Sequence, residues 1–365
     1  MEKFEINSFL KKAVSIGASD VHLRVNEHPA VRKDGKIIKI DMPILTEDDL
    51  TEIVSVILPK AAKSRANSVF DIDFSYEIKD VSRFRVNLSR QLGQSALVIR
   101  NIPYTVKKFE ELFLPLSIEQ FARLNNGLVL VTGPTGSGKS TTLASLIDYI
   151  NINYPKHIVT IEDPIEFIFT NKKSIVSQRQ VDIDTASFAD GVKYAMRQDP
   201  DVILIGEIRD KETVVSALKA SETGHLVFAT LHTNDAIQTV NRIINLFEPK
   251  DREHIRQQLG STLRGTISQK LVNRKHGEGR HPACEILVST PTVKDFIVKD
   301  ELDQIYDLVK KGSFNDMLTM NMSLLKLVQK EVITQEEALD KSDNKNELQQ
   351  MLRGVYQGTA DNKDG

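Results

Sequence analysis

The chain has 365 residues, 40% of them hydrophobic and 27% charged, with 48 Lys and Arg against 50 Asp and Glu. That length suits two to three domains, each able to bury a core, and the formal charge of −2 sets the chain apart from proteins that live on nucleic acid, which carry a basic domain or stripe. The single cysteine, Cys284, excludes an internal disulfide and a cysteine-cluster zinc site and suits a reducing compartment. No apolar run approaches the ~20 residues of a membrane span, and the start of the chain (Glu2, Lys3, Glu5) has no apolar signal core. A cytoplasmic location is expected.

Residues 1–100 read as a small α+β domain. A helix over Ile6–Ile16 stops at Gly17, and strands follow at Val21–Val25, Ala30–Lys33 and Ile37–Ile40, with Asp34-Gly35 as a tight turn. Thr46 is placed to cap a helix whose Leu50, Ile53, Val54, Ile57 and Leu58 repeat at helical spacing. Phe70–Tyr76 and Arg83–Leu88 alternate apolar with polar residues as half-buried strands do, and Ala96–Arg100 is a further strand. Residues 101–117, with Pro103 and Pro115, read as a linker. From 118 to 289 short apolar strands alternate with helices, the pattern of an α/β domain with a mainly parallel sheet. The strands are Leu128–Thr132, Ile158–Ile161, Val202–Ile205 and Leu226–Thr230; the helices are Ala186–Met196, Lys211–Glu222, Ala236–Leu246 and Arg252–Leu271. Residues 290–360 are expected to be mostly helical, with Asp361–Gly365 frayed.

Between the first of those strands and a helical run from Thr141 lies Gly133-Pro134-Thr135-Gly136-Ser137-Gly138-Lys139-Ser140, a complete G-x-x-x-x-G-K-S phosphate loop. Its glycines let consecutive backbone N–H groups face a triphosphate, and the helix start adds partial positive charge. Lys139 reaches the β- and γ-phosphates, the Ser140 hydroxyl can ligate Mg²⁺, and Thr141 completes the first turn. The motif predicts ATP with Mg²⁺ as the ligands.

Hydrolysis also needs a carboxylate to orient or deprotonate water. The apolar strand Val202–Ile205 runs into Gly206-Glu207, a Walker B pattern in which glycine replaces the usual metal-side aspartate. Glu207 is the expected catalytic carboxylate. A second acidic group, Glu162-Asp163-Pro164-Ile165-Glu166, follows another strand, at the edge where α/β sheets bind ligands; Glu162 and Asp163 are the expected metal-side groups. The strand Leu226–Thr230 is bracketed by His225 and His232, and His232, at its C-terminal end, points towards the crevice of Lys139 and Glu207. Two histidines at opposite ends of a strand do not suit a zinc site.

Together with Ala18-Ser19-Asp20-Val21-His22-Leu23 and Arg197-Gln198-Asp199-Pro200-Asp201, these motifs resemble the type IV pilus retraction ATPases (the PilT/PilU group) of the secretion-ATPase superfamily, over nearly the whole chain. The resemblance implies a PAS-like N-terminal domain, a RecA-like P-loop NTPase domain with a helical C-terminal extension, and a ring of six subunits. It makes Glu207 the Walker B glutamate, Glu166 the acidic-box glutamate, and His225 and His232 the histidine-box residues. It further implies that arginines of the N-terminal domain, with Arg83, Arg85 and Arg100 as candidates, close over the phosphates. The implied partners are an inner-membrane pilus platform protein, which would hold the chain at the cytoplasmic face of that membrane, and a paralogous ATPase. The segment Thr290–Asp300 keeps the family's helix start and apolar positions Val293, Phe296 and Ile297, but has Lys294 where the family has arginine.

Three other readings compete. An assembly or type II secretion motor is usually longer and often carries a tetracysteine zinc motif, whereas this chain starts at the PAS-like segment. A nucleotide-gated regulator would bind ATP without turning it over, against which Glu207 argues. A nucleic-acid motor finds few stacking platforms in a chain with 6% aromatic residues and no tryptophan.

Overall fold

Alternation of apolar and polar residues in the first hundred positions builds one antiparallel sheet. In the computed structural model, which describes residues 4–33, 35–59, 71–79, 81–102, 105–277, 279–311 and 316–354, the chain divides into two units. One is Met1–Thr105 with Glu166–Ile168, and the other is Val106–Ile165 with Phe169–Gly365.

The first unit contains α1 (Ile6–Ser15), β1 (Asp20–Arg24), β2 (Ala30–Lys33), β3 (Lys36–Lys39), α2 (Glu47–Ile57), β4 (Ile72–Ile78), β5 (Ser82–Gln91) and β6 (Gln94–Ile102). The strands lie in the order β3-β2-β1-β6-β5-β4, every neighbour antiparallel. Phe9 and Leu10 of α1 and Leu50 and Ile53 of α2 join Leu23, Val86, Leu97 and Ile99 of the sheet in one core. Thr46 caps α2 through a reciprocal box: its hydroxyl accepts from Asp49 N–H, and its own N–H donates to the Asp49 carboxylate at 2.8 Å. On β5, Arg83 and Arg85 alternate with the buried Phe84 and Val86, and Arg85 lies directly across from Arg100. Asp34, Phe70, Pro103 and Asp361–Gly365, named above from the sequence, fall outside the described residues.

The second unit holds α3 (Glu119–Ala122), β7 (Gly127–Thr132), α4 (Lys139–Asn153), β8 (His157–Glu162), β9 (Ile175–Gln180), α5 (Phe188–Ala195), β10 (Val202–Ile205), α6 (Lys211–Glu222), β11 (Leu226–Leu231), α7 (Ala236–Asn245), α8 (Arg252–Thr262), β12 (Leu263–Asn273) and β13 (Arg280–Val288). Its sheet runs β13-β12-β7-β11-β10-β8-β9, parallel except for the β12–β13 pair. The strands β7, β10 and β11 are buried along their whole length, as continuous apolar strands covered on both faces must be. Phe109, in the segment 101–117, is buried, and its ring packs tilted against that of Tyr149 of α4, centroids 5.4 Å apart.

One expectation is overturned here. The helix read over Arg252–Leu271 ends at Thr262, and from Leu263 the chain is strand β12. Gly265 explains why this stretch needs extended, close packing: a Cβ there would sit 2.4 Å from the Phe121 ring and 2.5 Å from Leu287 O.

Among the described residues five helices follow: α9 (Pro291–Lys299), α10 (Asp303–Lys311), α11 (Met320–Gln329), α12 (Gln335–Lys341) and α13 (Lys345–Leu352). The side chains of Thr290, Thr319, Thr334 and Asn344 cap four of them. Val272 and Ala283 of the β12–β13 hairpin share a core with Met320, Leu324, Ile333, Ala338 and Leu348. Lys270 on β12 donates to Lys341 O at 2.9 Å and to the Asp343 carboxylate. Cys284 is fully buried, which pushes its thiol up to about 12.

Candidate active site

Four parallel strands, β7, β11, β10 and β8, end on one edge of the second sheet, the edge at which open α/β sheets bind ligands. Thr132 pairs with Leu231, and Ile205 pairs with both Ala229 and Ile161. That register brings the residues just after each strand level with one another: Gly133, His232, Gly206-Glu207 and Asp163.

The phosphate loop connects β7 to α4. Pro134, Thr135 and Gly136 are exposed, whereas Ser137 and Lys139 are buried and Ser140 and Thr141 are half-buried. Gly138 is the N-cap of α4 and supplies no side-chain cap, so the first-turn N–H groups are left to a ligand. The Ser137 hydroxyl is also buried without a hydrogen-bond partner. Uncapped amides and an orphan hydroxyl fit a phosphate chain.

A continuous run of polar contacts joins the strand ends. The Lys139 ammonium donates to Gly133 O at 2.7 Å and Pro134 O at 3.0 Å, and lies 3.3 Å from His232 Nδ1. His232 Nε2 is 3.0 Å from Glu207 Oε1. An ammonium can only donate, so Nδ1 accepts and Nε2 carries the proton given to Glu207. Arg209 Nε donates to the other oxygen, Glu207 Oε2, at 2.8 Å, and its Nη1 reaches Asp163 Oδ2 at 3.4 Å. The hydrogen bond to Glu207 raises the pKa of Arg209 further above its ordinary value. Glu162 accepts from Thr160 Oγ1 at 2.6 Å and from Gln178 Nε2 at 3.3 Å. Chemically, the array offers a cation for phosphate, a carboxylate held at both oxygens, and a histidine between them.

Gly206, which replaces the usual aspartate, has a packing reason. A Cβ there would lie 3.3 Å from Glu162 Cα and 3.3 Å from Ile161 O. The acidic residues of β8 thus occupy the ground beside it.

The structure brings together Lys139, His232, Glu207 and Asp163. Glu166 is exposed and follows the end of β8 in the chain. His225 lies at the opposite end of β11, its Nδ1 2.9 Å from Ala220 O and 3.1 Å from Thr223 Oγ1, so it is not at the phosphate loop of its own unit. In the first unit, Arg83 donates to Ser75 Oγ at 3.3 Å, Arg85 lies 3.6 Å from Asp73, and Arg100 donates to Asp20 at 2.8 Å. Arg209 was not singled out from the sequence; its signal was its place two residues after Glu207, where a loop arginine reads as solvated charge. No group of three or more His, Cys, Asp or Glu side chains placed to hold a metal occurs among the described residues, and no described helix is long and apolar enough to cross a membrane.

A phosphate loop at the edge of a parallel sheet, with a carboxylate at the end of the next strand but one, defines a P-loop NTPase. More closely, the chain belongs to the type II/IV secretion system protein family, whose model matches residues 1–363. It is 41% identical over 338 residues to the type IV pilus retraction ATPase PilT of Pseudomonas aeruginosa, covering 93% of this chain and 98% of that protein. A twitching motility protein of Neisseria gonorrhoeae is 42% identical over 316 residues, 87% of this chain and 84% of the relative. The crystal structure of the pilus retraction motor PilT with bound ADP superposes with a TM-score of 0.90 at 44% identity, covering 96% of this chain and all of that one.

Proposed function

We propose that this chain is a ring-forming, Mg²⁺-dependent ATPase that powers type IV pilus retraction. The observation that carries the reading is the unbroken run of contacts from Lys139 through His232, Glu207 and Arg209 to Asp163. Relatives named as a retraction ATPase and a twitching motility protein, and the likeness to an ADP-bound retraction motor, support it.

In this reading the loop amides of residues 133–141 and Lys139 hold the phosphates, with Lys139 exchanging loop carbonyls for phosphate oxygens. Glu207 orients the attacking water, and Arg209 fixes the carboxylate that does so. His232 couples the two: it accepts from Lys139 and donates to Glu207, so a change at the γ-phosphate alters the group that holds the water. Mg²⁺ would be held by Ser140 with Glu162 and Asp163, and supplies charge neutralisation on the phosphates. The donor set fits, because Mg²⁺ keeps several waters and takes one or two carboxylates rather than an all-protein cage.

The proposal extends to a PAS-like domain over 1–100, a linker over 101–117, a RecA-like core over 118–289 and a helical subdomain over 290–360. It assigns Arg83, Arg85 and Arg100 to the transferring phosphoryl group, supported by the direct pairing of Arg85 with Arg100 on one sheet. Glu166 and His225 keep the acidic-box and histidine-box roles that the family resemblance implies. Six copies would form the ring, docked on an inner-membrane platform protein at the cytoplasmic face, with a paralogous ATPase as a further partner.

The test is Mg²⁺-dependent ATP hydrolysis by the purified chain and by Glu207→Gln, with particle mass recorded in the same samples. Turnover in a six-subunit particle, lost in the variant with assembly intact, is expected. A monomer unresponsive to nucleotide would overturn the reading. Retraction itself is read in cells: the same variant should leave pili extended, and pili that still retract in a background lacking other motors would refute it.

A further inference from the structure

The phosphate loop is held from the side by a residue of β12. Ser268 of β12 is level with Thr132 of β7, and their hydroxyls are hydrogen-bonded at 2.9 Å. The next residue, Gln269, is 3% exposed and is level with the start of the loop. Its Nε2 donates to Ser137 O at 2.8 Å, and its Oε1 accepts from Thr142 Oγ1 at 2.6 Å. The Ser137 carbonyl can only accept, so the amide has one workable orientation. A single side chain thus bridges the crown of the loop and the first turn of α4, on either side of the Gly138–Thr141 amides.

The glycines of the motif show how closely Gln269 fits. Gly133 has φ +144°, and a Cβ on it would lie 2.3 Å from Gln269 O. Gly138 has φ +91°, and a Cβ there would lie 2.8 Å from Gln269 Nε2. Gly133 is therefore required by this neighbour's backbone as well as by its own backbone angle, whereas Gly138 is required by its angle and lies close against the Gln269 amide.

We infer that Gln269 is a positioning residue for phosphoryl transfer: by bridging Ser137 and Thr142 it fixes the curvature of the loop, and with it the direction in which the amides and Lys139 meet the phosphates. The inference rests on the ATPase reading above. It assigns no contact between Gln269 and the nucleotide; its effect passes through the loop. Removing the amide leaves the Ser137 carbonyl buried and unpaired, and a small misplacement of phosphate-binding groups costs far more in the transition state than in the ground state.

The test compares wild type, Gln269→Leu, Thr142→Val, Thr142→Ser and the double variant Gln269→Leu/Thr142→Val, each checked for particle mass and melting temperature. The readouts are affinity for ADP, KM and kcat. Gln269→Leu should weaken ADP binding about tenfold and lower kcat about a hundredfold. Thr142→Ser should retain wild-type kinetics by keeping the hydroxyl. Thr142→Val should fall between, and the double variant should lose little more than Gln269→Leu, as for two halves of one bridge. Assembled Gln269→Leu with kcat and ADP affinity within about twofold of wild type would overturn the inference while leaving the ATPase reading intact. If Gln269→Leu does not fold, wild-type kinetics in Thr142→Val overturn it equally. Wild-type protein that binds no ADP would overturn both.

Discussion

Raising the pH through neutrality tests how the carboxyl group of Glu285 is held. This residue of β13 is 7% exposed and accepts the Ala236 N–H at 2.8 Å where α7 begins. Burial, reinforced by the nearby Asp235 and Asp343 carboxylates, pushes it from the ordinary 4.5 up to about 7; the amides of Ala236 and Met320 pull the other way. The folded chain therefore keeps a proton that the unfolded chain releases, so this group costs stability as pH climbs from about 4.5 to about 7, with no further loss above. The gap corresponds to about 3 kcal/mol. That figure is a ceiling, since a cavity of about 430 Å³ lined by Asp235, Glu285, Tyr306 and Asp343 gives water a route to the site. Glu285→Gln keeps an oxygen for the Ala236 N–H and cannot ionise. Its stability relative to wild type should rise by about 1 to 3 kcal/mol between about pH 5 and about pH 8.5. Urea unfolding of both proteins at matched concentration measures the difference, and titrations of groups remote from this site cancel in it. An unchanged difference across that range would refute the raised pKa and the burial argument behind it.

Two further outcomes follow from the site. His232 has a side chain 45% exposed, so His232→Ala should change stability by under about 1 kcal/mol yet lower kcat about 10- to 100-fold. Thermal midpoint and steady-state turnover, measured together, check this, and undiminished kcat would remove His232 from the relay. Gly206→Ala must find room against Glu162 Cα and Ile161 O at 3.3 Å; it should destabilise the chain by about 1 to 3 kcal/mol and slow hydrolysis by shifting Glu207. A variant with wild-type melting and turnover would show that β8 and β10 have slack there.

The phosphate loop, Glu207 and the strands β7, β10 and β11 were legible because each rests on local signals: a motif, a carboxylate at the end of an apolar run, and turn residues at both ends. β12 was not. Ile255, Leu259, Leu263, Ile267 and Leu271 recur every fourth residue, so the stripe of α8 runs on without a break, and Thr262 offers no stop. Once in the sheet, β12 is buried on both faces over much of its length, which removes the alternation that marks a strand. Losing β12 also hid Gln269, whose bond with Thr142 spans 127 positions in sequence. Arg209 was missed for the opposite reason. Its residue type and loop position predict solvated charge, and only the fold sets its guanidinium between Glu207 and Asp163.

The two ends of β12's work sit on adjacent residues. Gln269 faces the loop, and Lys270 holds the turn between α12 and α13 through Lys341 and Asp343. Side chains of a strand alternate faces, so a one-residue slip would exchange these two assignments at once. Insertions and deletions within Leu263–Asn273 should therefore be purged in natural variants of this chain. In protein engineering, β12 is the place where even a single codon added in frame should silence the motor.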